Sequence, residues 1–441
     1  MRLRRVLLAI SALGLIASGS SAASADTTAR PERTAIASPA VNASSADRPQ
    51  IVRPYKSAQE LASCDQARAR AATEGKSAVL CVEPAVPSKT PKAIARAAAA
   101  DGATWCEGQQ LDVVHITRTS ICENQVAHAK LFVPQTGELI GEAWLTINQQ
   151  IDTKNTDVNF GEDFFLRVQG VTGALINGFN VEIKSECAPK AACGQGQGPW
   201  TGPAPVALLT EKEGTWQRYW KNTTGFDTLM LEYTIKATYA DAEGSYSWGV
   251  SQNSGWQVRC DKMVANNSGC VIDKYTPTLV IPTRYNLARQ YIGMVQASMA
   301  SHPGWEGKGQ PLHRESNETV ARKNRDIVCD STFTADPSTP TPAQCDEFPF
   351  AKSKESGAQQ GVTSGKSCQQ YMVVKSAGGQ SLDLTWLGLS QGKMPPANAK
   401  CARASMTKVD NEGVGGELGR KTKQWRLLGG DAYWVDAGNH Q

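Results

Sequence analysis

The sequence predicts an antiparallel all-β, sandwich-like domain followed by a smaller α+β domain. Three observations carry this. Between about Trp105 and Gly269, short apolar runs recur with turn residues between them, the pattern of a β-sandwich or barrel. Beyond Val271 the spacing changes to one amphipathic helix, further polar helix-capable stretches and isolated short strands. Twelve cysteines fall in six sequence-neighbouring pairs, as in a chain stapled by disulfides in an oxidising compartment.

The chain opens with Met1-Arg2-Leu3-Arg4-Arg5, an apolar run from Val6 to Ile16, and small residues ending Ala23-Ser24-Ala25. A basic start, an apolar stretch too short to span a bilayer and a small-x-small site predict a secretory signal over residues 1–25. The mature protein is then expected to be secreted and extracellular, with no membrane segment. Residues 26–55 are rich in Ala, Ser, Pro and Thr without periodicity and read as a disordered linker. Residues 56–104 form an Ala-rich helical segment, with helices around Ala58–Glu74 and Lys92–Ala100 and stops at Gly75 and Gly102.

The β domain is assigned to residues 105–270. Its strand runs include Leu111–His115, Ala129–Val133, Ala143–Ile147, Phe164–Val168, Val181–Ile183 and Leu229–Ile235. Turns are placed at Pro134–Gly137, Asn159–Gly161, Asn177-Gly178 and the Gly/Pro-rich stretch Gly194–Pro205. Trp216, Trp220, Trp248 and Trp256 either line a binding surface or fill the core; the core is the commoner fate of such rings.

Residues 271–441 form the last unit. Thr278–Ile281 is a short strand, and Tyr285–Met299 an amphipathic helix stopped by His302-Pro303-Gly304. A polar stretch, Ser316–Arg325, is helix-capable; Tyr371–Val374 and Ala432–Val435 are strands. Asp410-Asn411-Glu412-Gly413 reads as a turn, and Gly416–Leu428 as a helix carrying Arg420, Lys421, Lys423 and Arg426.

Charge and cysteine usage narrow the function. The formal net charge of +4 includes Arg2, Arg4 and Arg5 of the signal, so a nucleic-acid contact has to come from a local patch rather than a global field. With five histidines and no Cys-x-x-Cys, a structural zinc site is not indicated. Acids and amides gather in the last unit: Cys345-Asp346-Glu347-Phe348-Pro349-Phe350-Ala351, then Glu355, and Asn411 in a Gly-rich stretch with Glu412 and Glu417. His313-Arg314 lies upstream. Pro349 stiffens the segment that carries the two acids. These are the parts of a one-metal phosphodiesterase: oxygen ligands for a hard cation, a base for water, and a cation for the phosphate.

The order and spacing of these motifs resemble the NucA/NucB family of secreted bacterial deoxyribonucleases over about residues 275–440. The resemblance rests on the helix ending in His302-Pro303-Gly304, His313-Arg314 followed by Asn324-Arg325, the Cys-Asp-Glu-Phe-Pro-Phe-Ala heptad, Glu355 with Gly357-Ala358, and Asn411–Gly415. It implies a ββα-metal active site that cuts DNA endonucleolytically with little sequence preference, using Mg²⁺ or Mn²⁺. It puts the general base at Asp346, with Glu347 supporting or ligating and Arg314 on the phosphate. It puts the metal-binding asparagine at Asn411. The family's ligating glutamate on the following helix corresponds to Lys421 here, and Glu417 is the nearest acid. His313, Arg420, Lys421 and Lys423 are further candidate DNA contacts. The β domain leaves two other readings open. One is a degenerate nuclease-like domain in a cell-wall or polysaccharide-binding protein; the other is a delivered nuclease toxin.

Overall fold

Period-two burial recurs along the strands between residues 157 and 249 and makes this region a stack of strands. In the computed structural model, residues 48–52, 63–85, 106, 109–111, 113–249, 256–375, 381–388 and 392–438 are described. The signal at 1–25, most of the 26–55 linker and the helix expected at 92–100 lie outside them.

One sheet contains β1 (Gln50–Val52), β2 (Val79–Pro84), β3 (Val114–Ile116), β4 (Ser120–Phe132), β5 (Leu139–Lys154), β6 (Asp157–Gly173), β8 (Cys193–Gln195) and β10 (Glu211–Trp220). Its order is β1-β3-β4-β5-β6-β10-β8, with β2 on β4. The second contains β7 (Phe179–Ala188), β9 (Ala204–Val206), β11 (Phe226–Tyr239), β12 (Ala242–Gly249), β13 (Val258–Asp261) and β14 (Gly269–Ile272). Its order is β14-β13-β11-β7-β9, with β12 on β11. Pairing within both sheets is antiparallel. Apolar side chains from both sheets, such as Leu145 and Phe164 on one and Val181 and Leu231 on the other, share one core. Trp216, Trp220, Trp248 and Trp256 are all buried in it, so none of the four lines an exposed surface.

The strands are longer than their apolar runs. Residues Glu123–Gln125 and Asn148–Gln150 interrupt the hydrophobic pattern yet lie buried inside β4 and β5. Gln149 is accommodated by polar partners: it bonds Glu162, the buried Arg218 bonds Glu162 at 2.8 Å, and Trp248 Nε1 donates to Gln149 at 3.2 Å. Buried polar groups that are mutually satisfied cost little, so periodicity alone understates these strands.

The last third carries helices α2 (Asn286–Ser298), α3 (Glu318–Val328) and α4 (Lys408–Gln424). The earlier helix α1 (Ser63–Thr73) lies against β2. Strands β15 (Thr278–Val280), β21 (Ala432–Asp436) and β16 (Leu312–His313) form a small sheet in the order β15-β21-β16, β15 running parallel to β21. Strands β17 (Ala343–Phe348), β20 (Ala402–Thr407), β18 (Gln369–Lys375) and β19 (Leu382–Trp386) form another in that order. Leu287, Tyr291 and Val295 of α2 pack with Val414 and Leu418 of α4 in a second core. The architecture is thus mostly antiparallel β with few helices.

The turn expected at Asp410–Gly413 is instead the first turn of α4, which begins eight residues before the helix expected at Gly416. Thr407 caps it, its hydroxyl accepting from Asp410 N–H, and Asp410 places a carboxylate in the first turn. Four glycines argue against a helix by propensity, at about 1 kcal/mol each. Packing overrides them: the Tyr285 ring lies so close to Gly413 that a Cβ there would come within 2.2 Å of it.

Five of the six neighbouring cysteine pairs are disulfides: Cys106–Cys122, Cys187–Cys193, Cys260–Cys270, Cys329–Cys345 and Cys368–Cys401. The sixth departs from the expectation. Cys64 and Cys81 are thiols in hydrogen-bond contact between α1 and β2, and that contact lowers the Cys81 pKa while raising that of Cys64. Among the described residues no helix is long and apolar enough to cross a membrane, and the disulfides suit an oxidising compartment.

Three buried arginines join the β-sheets to the last third. Arg118 donates to the carbonyls of Trp425 (2.6 Å) and Ile272 (3.0 Å). Arg259 pairs with Asp431 at 2.8 Å. Arg426, in the left-handed region at φ 48° just beyond α4, reaches back to the buried Asp261, with Nε 3.0 Å from Oδ2. Arg426 is therefore an internal anchor and not part of an exposed basic face.

Candidate active site

Strand β17 presents its side chains alternately to two helices. Cys345 and Glu347 share one face. Cys345 is bridged to Cys329 at the end of α3, and Glu347 Oε1 accepts from Arg325 Nε, one turn earlier on α3, at 3.2 Å. Gln344 and Asp346 share the other face, towards α4: Asn411 Nδ2 donates to Gln344 Oε1 at 2.9 Å. The disulfide and the ion pair thus hold the strand, and Asp346 and Asn411 line a common cleft that Glu347 and Arg325 also border. Its volume is about 450 Å³.

Asp346 is 8% exposed, and no side chain among the described residues hydrogen-bonds its carboxylate. Burial, then the neighbouring Glu347 carboxylate, pushes its pKa up to about 8, against the Glu347 backbone N–H and Arg325. Burial also raises Glu347, opposed by Arg325. The backbone at Asp346 is fixed by pairing with Ala404 of β20 and by the Tyr291 hydroxyl, which donates to its carbonyl at 3.4 Å.

Helix α4 lines the cleft with Asn411, Val414, Gly415, Leu418, Gly419, Thr422 and Lys423, the three- and four-residue spacing of one helix face. With Asn411 Nδ2 bonded to Gln344, its Oδ1 is the atom left for a ligand. Cβ atoms placed on Gly415 or Gly419 would meet nothing within 4 Å, so this wall is bare backbone.

Four cations line the cleft, and two are neutralised: Arg325 by Glu347 and Lys352 by Glu318 at 2.7 Å. Arg314 and Lys423 have no carboxylate within ion-pairing distance among the described residues. Arg314 spends one nitrogen on the Leu427 carbonyl, and burial lowers its pKa. Free guanidinium and ammonium donors beside a carboxylate and an amide oxygen suit a phosphodiester.

Other residues singled out in the sequence lie elsewhere. Glu417 is off the cleft face of α4, paired with Arg284 and with Arg420, at 2.7 Å from the latter; the Arg420 hydrogen bond lowers its pKa. It does not join Asn411 because six residues along a helix is about 600°, a third of a turn away from Asn411, on the flank that faces Arg284. Arg420 is occupied by Glu417, and Lys421 lies 5.0 Å over the Trp425 ring. His313 Nδ1 is 2.8 Å from Glu355 Oε1, and neither residue lines the cleft. Sequence reasoning missed Gly415, Gly419 and Thr422, which the spacing from Asn411 would have shown had the helix been recognised. It also missed Met263, Val264 and Ala265, which form a wall from the β13–β14 loop; nothing in the sequence signals them.

A hard divalent ion takes oxygen ligands, and Mg²⁺ completes a small protein set with water and substrate phosphate. The cleft offers the Asp346 carboxylate, Asn411 Oδ1, and the Glu347 carboxylate already engaged by Arg325. Among the described residues no group of three His, Cys, Asp or Glu converges. This donor set fits an ion held by few protein oxygens rather than a closed cage. Comparison with protein-family models, with curated proteins and with solved structures gave no match to the chain.

Proposed function

We propose that the cleft is the active site of a secreted, metal-dependent endonuclease that hydrolyses phosphodiester bonds of extracellular DNA with little sequence preference. One observation carries this reading: a buried carboxylate, Asp346, shares a cleft with the helix amide Asn411 and with two cations, Arg314 and Lys423, that have no ion-pair partner among the described residues. The order β17, its antiparallel partner β20, then α4 directly after β20 fits a ββα-metal arrangement.

The roles follow from the chemistry of each group. Arg314 and Lys423 hold the non-bridging oxygens of the scissile phosphate. Asp346, whose burial gives it a high proton affinity, takes the proton of the attacking water. The water oxygen bonds to phosphorus as the bond to the leaving strand breaks. Asn411 Oδ1, with Glu347, would hold a divalent ion, whose charge would lower the pKa of water and stabilise the leaving oxygen. Arg325 and the Cys329–Cys345 bridge keep β17 in place.

The test is incubation of the full-length protein with plasmid DNA and Mg²⁺ or Mn²⁺, with and without chelator. Nicking that chelator stops and that Asp346→Ala abolishes is the expected result. Intact DNA with either metal, or undiminished cutting by Asp346→Ala, overturns the reading. A second reading, a degenerate nuclease-like unit in a cell-wall or polysaccharide-binding protein, is favoured by the position of Glu417 outside the cleft. Calorimetric titration with Mn²⁺ separates the two: the degenerate unit gives no saturable heat.

A further inference from the structure

The cleft is built from both parts of the chain. Besides α4, it is walled by Met263, Val264 and Ala265, which belong to the connection between β13 and β14. Val264 is buried, whereas Met263 is 60% exposed.

The loop is held rigidly in that position. Cys260 and Cys270 are opposed in the β13–β14 ladder and disulfide-bonded. Asp261 Oδ1 accepts from Met263 N–H at 3.0 Å. Ala265 and Asn266 both take left-handed backbone angles, φ 59° and 57°, and turn the chain back. Arg426 bonds Asp261 and donates to the Asn267 carbonyl at 2.9 Å. Because Arg426 lies two residues beyond α4, one side chain ties the loop to the helix that carries Asn411.

The cations Arg314 and Lys423 and the carboxylate of Asp346 define where a phosphate rests. A polynucleotide placed there exposes sugar and base on the sides away from its phosphate oxygens. The apolar lip and the side-chain-free backbone at Gly415 and Gly419 supply surface for them. Methionine suits the task, since its flexible, polarisable thioether packs on rings of differing shape, and apolar side chains commonly wedge against bases.

We propose that the Lys262–Ser268 loop of the β-sheet region is a substrate-positioning lip, with Met263 packing on the sugar and base of the nucleotide beside the scissile phosphate. This rests on the phosphodiesterase reading and adds a specificity element from outside the last third of the chain.

The experiment uses full-length wild type, Met263→Ala and Met263→Leu, with a DNA duplex and with bis(p-nitrophenyl) phosphate, a diester lacking sugar and base. Met263→Ala is expected to raise KM on DNA about five- to tenfold with kcat within about twofold, the size of one lost apolar contact. Met263→Leu is expected to restore KM, and the small diester to be indifferent to both changes. The exposure of Met263 leaves the fold intact in either variant. An unchanged KM on DNA in Met263→Ala overturns the lip alone, as does an equal loss on both substrates, which marks a structural role. If wild type cuts no DNA with either metal, the phosphodiesterase reading falls and the lip with it.

Discussion

Asp346→Asn tests the electrostatics of the cleft without removing its shape. The wild-type carboxyl titrates at about 8 in the folded protein against an ordinary value of 3.8. Each tenfold change in proton affinity corresponds to about 1.4 kcal/mol. The sign follows from proton uptake. Below pH 3.8 the group is protonated whether folded or unfolded and costs nothing. Between 3.8 and about 8 the folded state binds a proton that the unfolded state releases, so stability falls as pH rises. At pH 7 the gap of about three pH units is worth ~4 kcal/mol, and above pH 8 it approaches ~6 kcal/mol; relaxation and water in the cleft reduce the realised cost to about half of that.

Asparagine carries no charge and removes this cost. In chelator-treated protein the variant is expected to be more stable than wild type by about 2–3 kcal/mol at pH 8.5 and equal to it at pH 4. The assay is the urea midpoint of both proteins at pH 4, 7 and 8.5, with plasmid nicking followed in parallel. Stabilisation should accompany complete loss of cutting. A variant less stable than wild type at pH 8.5, or a gain independent of pH, refutes the burial argument. Added Mg²⁺ is expected to narrow the gap, because a bound cation favours the wild-type carboxylate.

Other perturbations separate the roles of neighbouring residues. Asn411→Ala removes the amide oxygen that α4 offers the ion and is expected to weaken Mn²⁺ binding at least tenfold, read by calorimetry. Glu417→Ala should leave that affinity within about twofold, since its partners are Arg284 and Arg420; a large loss would place it back among the ligands. Arg426→Ala leaves Asp261 buried without its partner and is expected to cost about 3–5 kcal/mol, read as a fall in the urea midpoint. At limiting substrate, wild-type cutting is expected to rise with pH until Asp346 is ionised, near pH 8; a rate that does not change between about pH 5 and 9 would refute its role as base.

The sequence made strands legible where one face is apolar, as in Val181–Ile183, and failed where both faces are buried with polar residues, as in Asn148–Gln150. The helix Asn286–Ser298 was visible because Leu287, Tyr291 and Val295 follow helical spacing. Helix α4 was not, because Gly413, Gly415, Gly416 and Gly419 mask a segment whose helicity comes from Thr407 capping and from packing on Tyr285. The same misreading hid the cleft face of α4 and made Glu417 look like a neighbour of Asn411. Asp346, which the local motif singled out, lines the cleft. The Met263 wall could not be, since it comes from a chain segment about eighty residues earlier that only tertiary folding brings near.

The boundary near residue 271 is a change in hydrophobic pattern, while the packing runs straight across it. Cutting the chain there would strip Asp431 of Arg118 and Arg259, and would leave Arg426 projecting into water from the end of the helix that bears Asn411. The last third cannot then be handled as a portable cassette. Grafted onto another protein, it would bring along unfilled sites for two guanidinium groups, expose the third, Arg426, and lose one wall of its own cleft.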